Sequence, residues 1–190
     1  MTRRASGRPA GSLAGEDAAP EPTAKTSRGL GRFSASVRAA GPVELGILTL
    51  GIIAAGLMVL AEFSTLFAVD VGSGPSCEDL ASSALADTCT TTGGEQHSYA
   101  LVLLALLAVG MAAGAALARS PAAAAALLVV GLVVLGITLI GDLPDTSREG
   151  AIGERFTQAE ARTGPGFFYE LAAGLLATLA GGLAMARRRG

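Results

Sequence analysis

The chain has no tryptophan, no asparagine and one lysine, Lys25, and each scarcity removes a class of explanation. Without asparagine there is no acceptor for N-linked glycans. One histidine, His97, and two cysteines, Cys77 and Cys89, are too few for a metal-spaced His/Cys cluster. The cysteines have 11 residues between them and form no Cys-x-x-Cys, so a thiol–disulfide relay lacks its motif and its second pair. Charge is scarce as well, at 16% of 190 residues with a net charge of −2. Soluble domains average about 25% charged. No basic field marks a nucleic-acid partner. No nucleophile–base constellation or Gly-rich phosphate loop is present, so an enzyme is not expected, and neither is a cofactor or a bound metal.

What remains is apolar. Hydrophobic residues make up 51%, mean hydropathy is +0.52, and 26 glycines lie largely within the apolar runs. Small residues inside long apolar segments are typical of helices that pack in lipid. The bias towards Ala and Gly points to a GC-rich bacterial genome. The expected fold is all-α, a four-helix transmembrane bundle (residues 43–190) behind a disordered cytoplasmic tail (residues 1–42) too polar to order itself. The spans are expected at about 45–69, 99–118, 122–141 and 167–186, each long enough for a ~30 Å hydrocarbon core. Arg119-Ser120-Pro121 turns the second span into the third, and Gly164-Pro165-Gly166 breaks the chain before the fourth.

Orientation follows from the basic residues. The tail, the 119–121 turn and Arg187–Arg189 hold 11, the loop at 70–98 none, and the loop at 142–166 three, Arg148, Arg155 and Arg162. Both termini are therefore expected in the cytoplasm, and both long loops outside a plasma membrane. Phe63, Phe67, Tyr99, Phe167, Phe168 and Tyr169 fall at the outer ends of their spans, as an interfacial belt does. Outside, the compartment is oxidising, so Cys77 and Cys89 are expected to close the first loop with a disulfide. Short helices are expected at about 78–87 and 151–162. The layout resembles that of the tetraspan junction and receptor-accessory proteins, without the tryptophan-bearing first-loop signature of that group.

The chemistry, if any, sits with ionisable groups at the outer ends of the spans, because charges near lipid are costly and tend to be functional. Glu62, Asp142 and Glu170 are the candidates, with His97 and Tyr99 above the second span, as a polar site for a proton or a divalent cation. Glu62 is expected deepest, ~7.5 Å above the midplane if its span is 45–69. Helical spacing places Glu62 with Met58, Ala55 and Gly51, Asp142 with Thr138, Leu135 and Gly131, and Glu170 with Gly174, Ala177 and Gly181. These small residues, with Gly110 and Gly114, are the expected packing positions. Two functions fit: a non-enzymatic accessory or scaffold subunit that meets a membrane partner or itself, and an ion- or proton-coupled carrier using the outer acids.

Overall fold

The computed structural model describes residues 40–71, 89–145 and 159–188. Helix α1 (Pro42–Glu62) opens with Pro42 at its first position, where no intrahelical N–H is needed. Strands β1 (Thr65–Val71) and β2 (Thr90–Thr92) follow, then the five-residue helix α2 (Gly93–His97). Helix α3 (Ala100–Ala116) is joined by a short turn to α4 (Pro121–Gly136), whose Ser120 cap accepts a hydrogen bond from the Ala123 N–H at 3.3 Å. The end of α4 continues as a π-helical turn, Ile137–Asp142. Strand β3 (Ala159–Thr163) then leads into α5 (Pro165–Ala186).

Among the described residues, three helical segments are long and apolar enough to cross a membrane: Pro42–Glu62, Pro121–Asp142 and Pro165–Ala186. The fourth, α3, is apolar but has 17 residues, a rise of ~25 Å. The four form a ring in which α5 packs on α4 and α1, and α3 packs on α1 and α4. Its core is built of small side chains: Ala54, Ala108, Ala112, Ala173, Ala177 and Ala180 are buried around Met58, Leu101, Leu127 and Val134. Large apolar residues point outward instead, Ile140 at 80% exposed and Leu106 at 68%. That inversion suits a lipid surroundings, where close backbone approach rather than water exclusion holds helices together. Gly181 shows how close: a Cβ there would stand 2.5 Å from the Leu128 backbone nitrogen.

The fold is not all-α. β1 is the centre of a three-stranded antiparallel sheet in the order β2-β1-β3, pairing Ala68 with Thr90 on one side and Arg162 on the other. The first helix therefore ends at Glu62, seven residues before Val69, and residues 159–162 are strand where a helix was expected. The reason lies in side-chain shape. Thr65-Leu-Phe-Ala-Val-Asp-Val and Thr90-Thr-Thr are rich in β-branched and aromatic residues, which suit a pleated surface. Ser64 ends α1, its hydroxyl donating to the Leu60 carbonyl at 2.6 Å. Gly164 lets β3 turn into α5 hard against β1, its N–H donating to the Leu66 carbonyl at 2.6 Å, where any Cβ would collide with the Thr65 carbonyl. The sheet thus sits at the end of the bundle where α1 finishes and α5 begins. Residues 1–39, Cys77 and the expected helix at 78–87 lie outside the described residues; Pro42, expected in the tail, is already helical.

Candidate functional site

Beneath the sheet, three side chains from distant parts of the chain meet. His97 ends α2, Asp142 ends the π-helical turn of α4, and Glu170 lies in the second turn of α5. One ligand atom from each lies within 4.8 Å of the other two. His97 Nε2 stands 3.5 Å from an Asp142 carboxylate oxygen and 3.6 Å from a Glu170 oxygen. The side chains are 9%, 1% and 0% exposed.

Each of the three residues is placed by local structure. The Thr92–Glu95 capping box starts α2: the Thr92 N–H donates to Glu95 Oε2 at 2.9 Å, and the Glu95 N–H donates to Thr92 Oγ1. Thr92 holds the Glu95 carboxylate below its ordinary range through backbone and hydroxyl hydrogen bonds. After His97, Ser98 and Tyr99 take φ of 52° and 67°. Two successive left-handed residues that are not glycine carry backbone strain, which the fold sustains while turning His97 down over the bundle. Gly93 permits this by lying directly on the Ala61–Glu62 backbone, where a Cβ would collide. On α4, the π-helical turn keeps Thr138 and Asp142 both buried, with Thr138 Oγ1 donating to the Val134 carbonyl at 2.9 Å. Such turns often mark functional positions in helices. On α5, Glu170 continues the buried face of Gly174, Ala177 and Gly181.

The electrostatics of this centre are unusual because nothing else among the described residues satisfies it. Both oxygens of Asp142 and of Glu170, and His97 Nε2, are buried and make no hydrogen bond. Their contacts are those of an ion pair, too long for hydrogen bonds. Burial works against a charged His97, but the attraction of Asp142 and Glu170 outweighs it and pushes the imidazole up to about 10.

Glu62 is also buried, at 1% exposed, with both carboxylate oxygens unpartnered, yet it is not a member of the three-residue group. Counted from the centre of α1 it stands ten residues along, ~15 Å, at the edge of a hydrocarbon core rather than within it. Its companions Met58, Ala55 and Gly51 are buried with it. Tyr99 does not join the site: it is 59% exposed, its ring 6.4 Å from that of Phe63. Among the expected packing glycines, Gly110 faces open space, whereas a Cβ at Gly114 would stand 2.9 Å from Ala123 Cβ. No free cysteine stands among the described residues, and Cys89 is buried beside β2.

A second polar cluster lay unnoticed in the sequence. At the opposite end of the bundle, Glu44 Oε1 lies 3.0 Å from both Arg119 Nη2 and Arg187 Nη1. By sequence Arg119 and Arg187 are residues that orient the chain and meet anionic lipid. Glu44, three residues into α1 beside Pro42, was the available signal for a partner.

Compared with protein-family models, characterised proteins and solved structures, the chain gives no match.

Proposed function

We propose that this chain is a four-span integral membrane protein, non-enzymatic and of the accessory type, that binds one divalent metal ion at the outer end of its bundle through His97, Asp142 and Glu170. The observation that carries the metal is the trio itself: three buried donors without hydrogen-bond partners, gathered round one point. Ligand atoms about 2.1 Å from a tetrahedral ion stand about 3.4 Å apart, close to the 3.5 and 3.6 Å between His97 Nε2 and its two neighbours. One imidazole and two carboxylates suit a borderline ion such as Zn²⁺ or Fe²⁺, or the harder Mn²⁺ through the carboxylates, better than the all-oxygen shells of Ca²⁺ or Mg²⁺. The ion would join α2, α4 and α5, fixing the outer loops on the bundle. Three protein ligands leave the fourth position of a tetrahedral ion to water; the burial of all three side chains is what favours a structural role.

In this reading α3 is the fourth span, both termini face the cytoplasm, and the sheet lies outside the plasma membrane, stapled by a Cys77–Cys89 disulfide. The basic residues at the Arg119–Arg187 end support that orientation. Outward glycines such as Gly46, Gly56 and Gly110, with nothing near them, offer close-approach faces for a membrane partner or a second copy. A second reading, an ion-coupled carrier, is favoured by Glu62, a further buried carboxylate with no partner that would serve as a next station for an ion.

Thermal unfolding in mild detergent, with and without Zn²⁺, Mn²⁺ or a chelator, tests the proposal. Metal raises the melting temperature of the parent, and His97→Ala or Glu170→Gln abolishes the rise. A parent whose melting no divalent ion alters overturns it. Metal-dependent melting that Glu62→Gln also abolishes favours the carrier reading.

A further inference from the structure

The cluster at the other end of the bundle has more positive charge than its own partners use. Glu44, Arg119, Arg187 and Arg188 line a cleft of about 460 Å³. Three guanidinium groups face one carboxylate, a surplus of two positive charges. Both Arg119 and Arg187 converge on the same oxygen, Glu44 Oε1, at 3.0 Å each. Only the Arg119 contact is a hydrogen bond. Arg187 Nη1 is buried and donates none. Three elements build the cleft. α1 brings Glu44 in its first turn, and the α3–α4 turn brings Arg119, held at φ 50°. Arg187 follows the last residue of α5. All three are ends of apolar helices, which places the cleft at the level of lipid headgroups.

We infer that this cleft binds a phosphate group. Guanidinium forks donate paired N–H groups to phosphate oxygens, and planar donors from several directions suit a tetrahedral anion. Glu44 orients Arg119 and draws Arg187 to the same point, leaving their remaining N–H groups and Arg188 for the anion. A headgroup phosphate of an anionic phospholipid and a free phosphate both present this chemistry. The inference is independent of the metal site, which lies at the opposite end.

The test uses the full chain in detergent, with phosphatidylglycerol, phosphatidylcholine or inorganic phosphate added, and native mass spectrometry counting retained adducts. Arg188→Gln is the informative variant, because Arg188 makes no contact with Glu44 and its loss leaves the ion pairs intact. Phosphatidylglycerol adducts are retained by the parent and fall roughly fivefold in Arg188→Gln, the weight of one arginine at a charged membrane surface. Displacement of those adducts by inorganic phosphate assigns recognition to the phosphate group itself; their persistence assigns it to the lipid. Equal adducts on parent and Arg188→Gln, or equal retention of phosphatidylcholine and phosphatidylglycerol with no effect of phosphate, overturns the inference. Arg119→Gln serves as a second variant, with melting checked first, since it also removes a partner of Glu44.

Discussion

Two neighbouring glycines on α5 offer an unusually clean test of how this bundle is held together. Gly181 and Gly182 share a helix, a depth and a residue type, but they point about 100° apart round the helix axis. A Cβ added at Gly181 would stand 2.5 Å from the Leu128 backbone nitrogen and 2.7 Å from its Cα, whereas at Gly182 nothing lies within 4 Å. Carbon contacts relax at about 3.5–4.0 Å, so α5 and α4 must part by roughly 1 Å to admit an alanine at 181. The obstruction is backbone, so no side chain can rotate away. Overpacking of this kind costs about 1–3 kcal/mol, and separation of the helices loosens the neighbouring contacts of Gly174 with Leu135 and Gly131 with Thr178. Alanine's better helix propensity returns up to ~1 kcal/mol at either site. The expected outcome is Gly181→Ala destabilised by about 1–2 kcal/mol and Gly182→Ala neutral or stabilised by about 0.5–1 kcal/mol. Reversible unfolding of both variants in the same mild detergent measures the difference. Equal stability, or the reverse order, would refute close backbone packing between α4 and α5.

Other perturbations give equally definite expectations. Glu62→Gln replaces a buried carboxyl group that has no hydrogen-bond partner, so it should melt at or above the parent temperature, and a marked loss would reveal a charged partner for the side chain. Apparent metal affinity should rise with pH, because the metal-free centre keeps a proton on His97 up to about 10 and the ion must displace it. Affinity independent of pH between 6 and 9, a range chosen to lie roughly between His97's ordinary and raised values, would exclude His97 as a ligand. In the metal-free protein the same raised value stabilises the fold at low pH, and that contribution is lost as pH climbs through about 10. The Thr92–Glu95 cap has the opposite sign. Its carboxylate is held below the ordinary value of 4.5, so its contribution is present above that pH and fades on acidification. Amide exchange at Glu95 should accelerate in acid relative to neighbouring strands, and Glu95→Gln should remove that acid sensitivity.

The helical half of the fold was legible because hydropathy and punctuation agree. Pro42, Pro121 and Pro165 each stand at the first position of a helix, and the small-residue faces around Gly131, Gly174 and Gly181 did turn inward. The sheet was not legible. Thr65–Val71 follows α1 with no glycine or proline between them, and hydropathy alone does not separate a short buried strand from more helix. Its partners, Thr90–Thr92 and Ala159–Thr163, are three and five residues long and carry little pattern of their own. The polar site was half visible. Each acid stood out by its cost near lipid, but His97, Asp142 and Glu170 are separated by 45 and 28 positions, so no spacing announces a ligand set. Tyr99, expected at the start of the second span, stands at φ 67° just before α3, with its ring beside that of Phe63. Gly110 and Gly114 illustrate the weakness of a four-residue glycine spacing: one faces Ala123 and the other open space.

X-ray absorption at the metal edge, on protein purified from membranes without chelator and then loaded with Zn²⁺ or Mn²⁺, tests the proposed metal centre most directly. The expected result is about one ion per chain, with a first shell of nitrogen and oxygen only, near 2.0–2.2 Å, that includes a single imidazole. In His97→Ala the imidazole scattering should vanish. A chain that takes up no stoichiometric ion, or one whose first shell is unchanged by His97→Ala, would contradict the assignment of His97, Asp142 and Glu170 as a metal site.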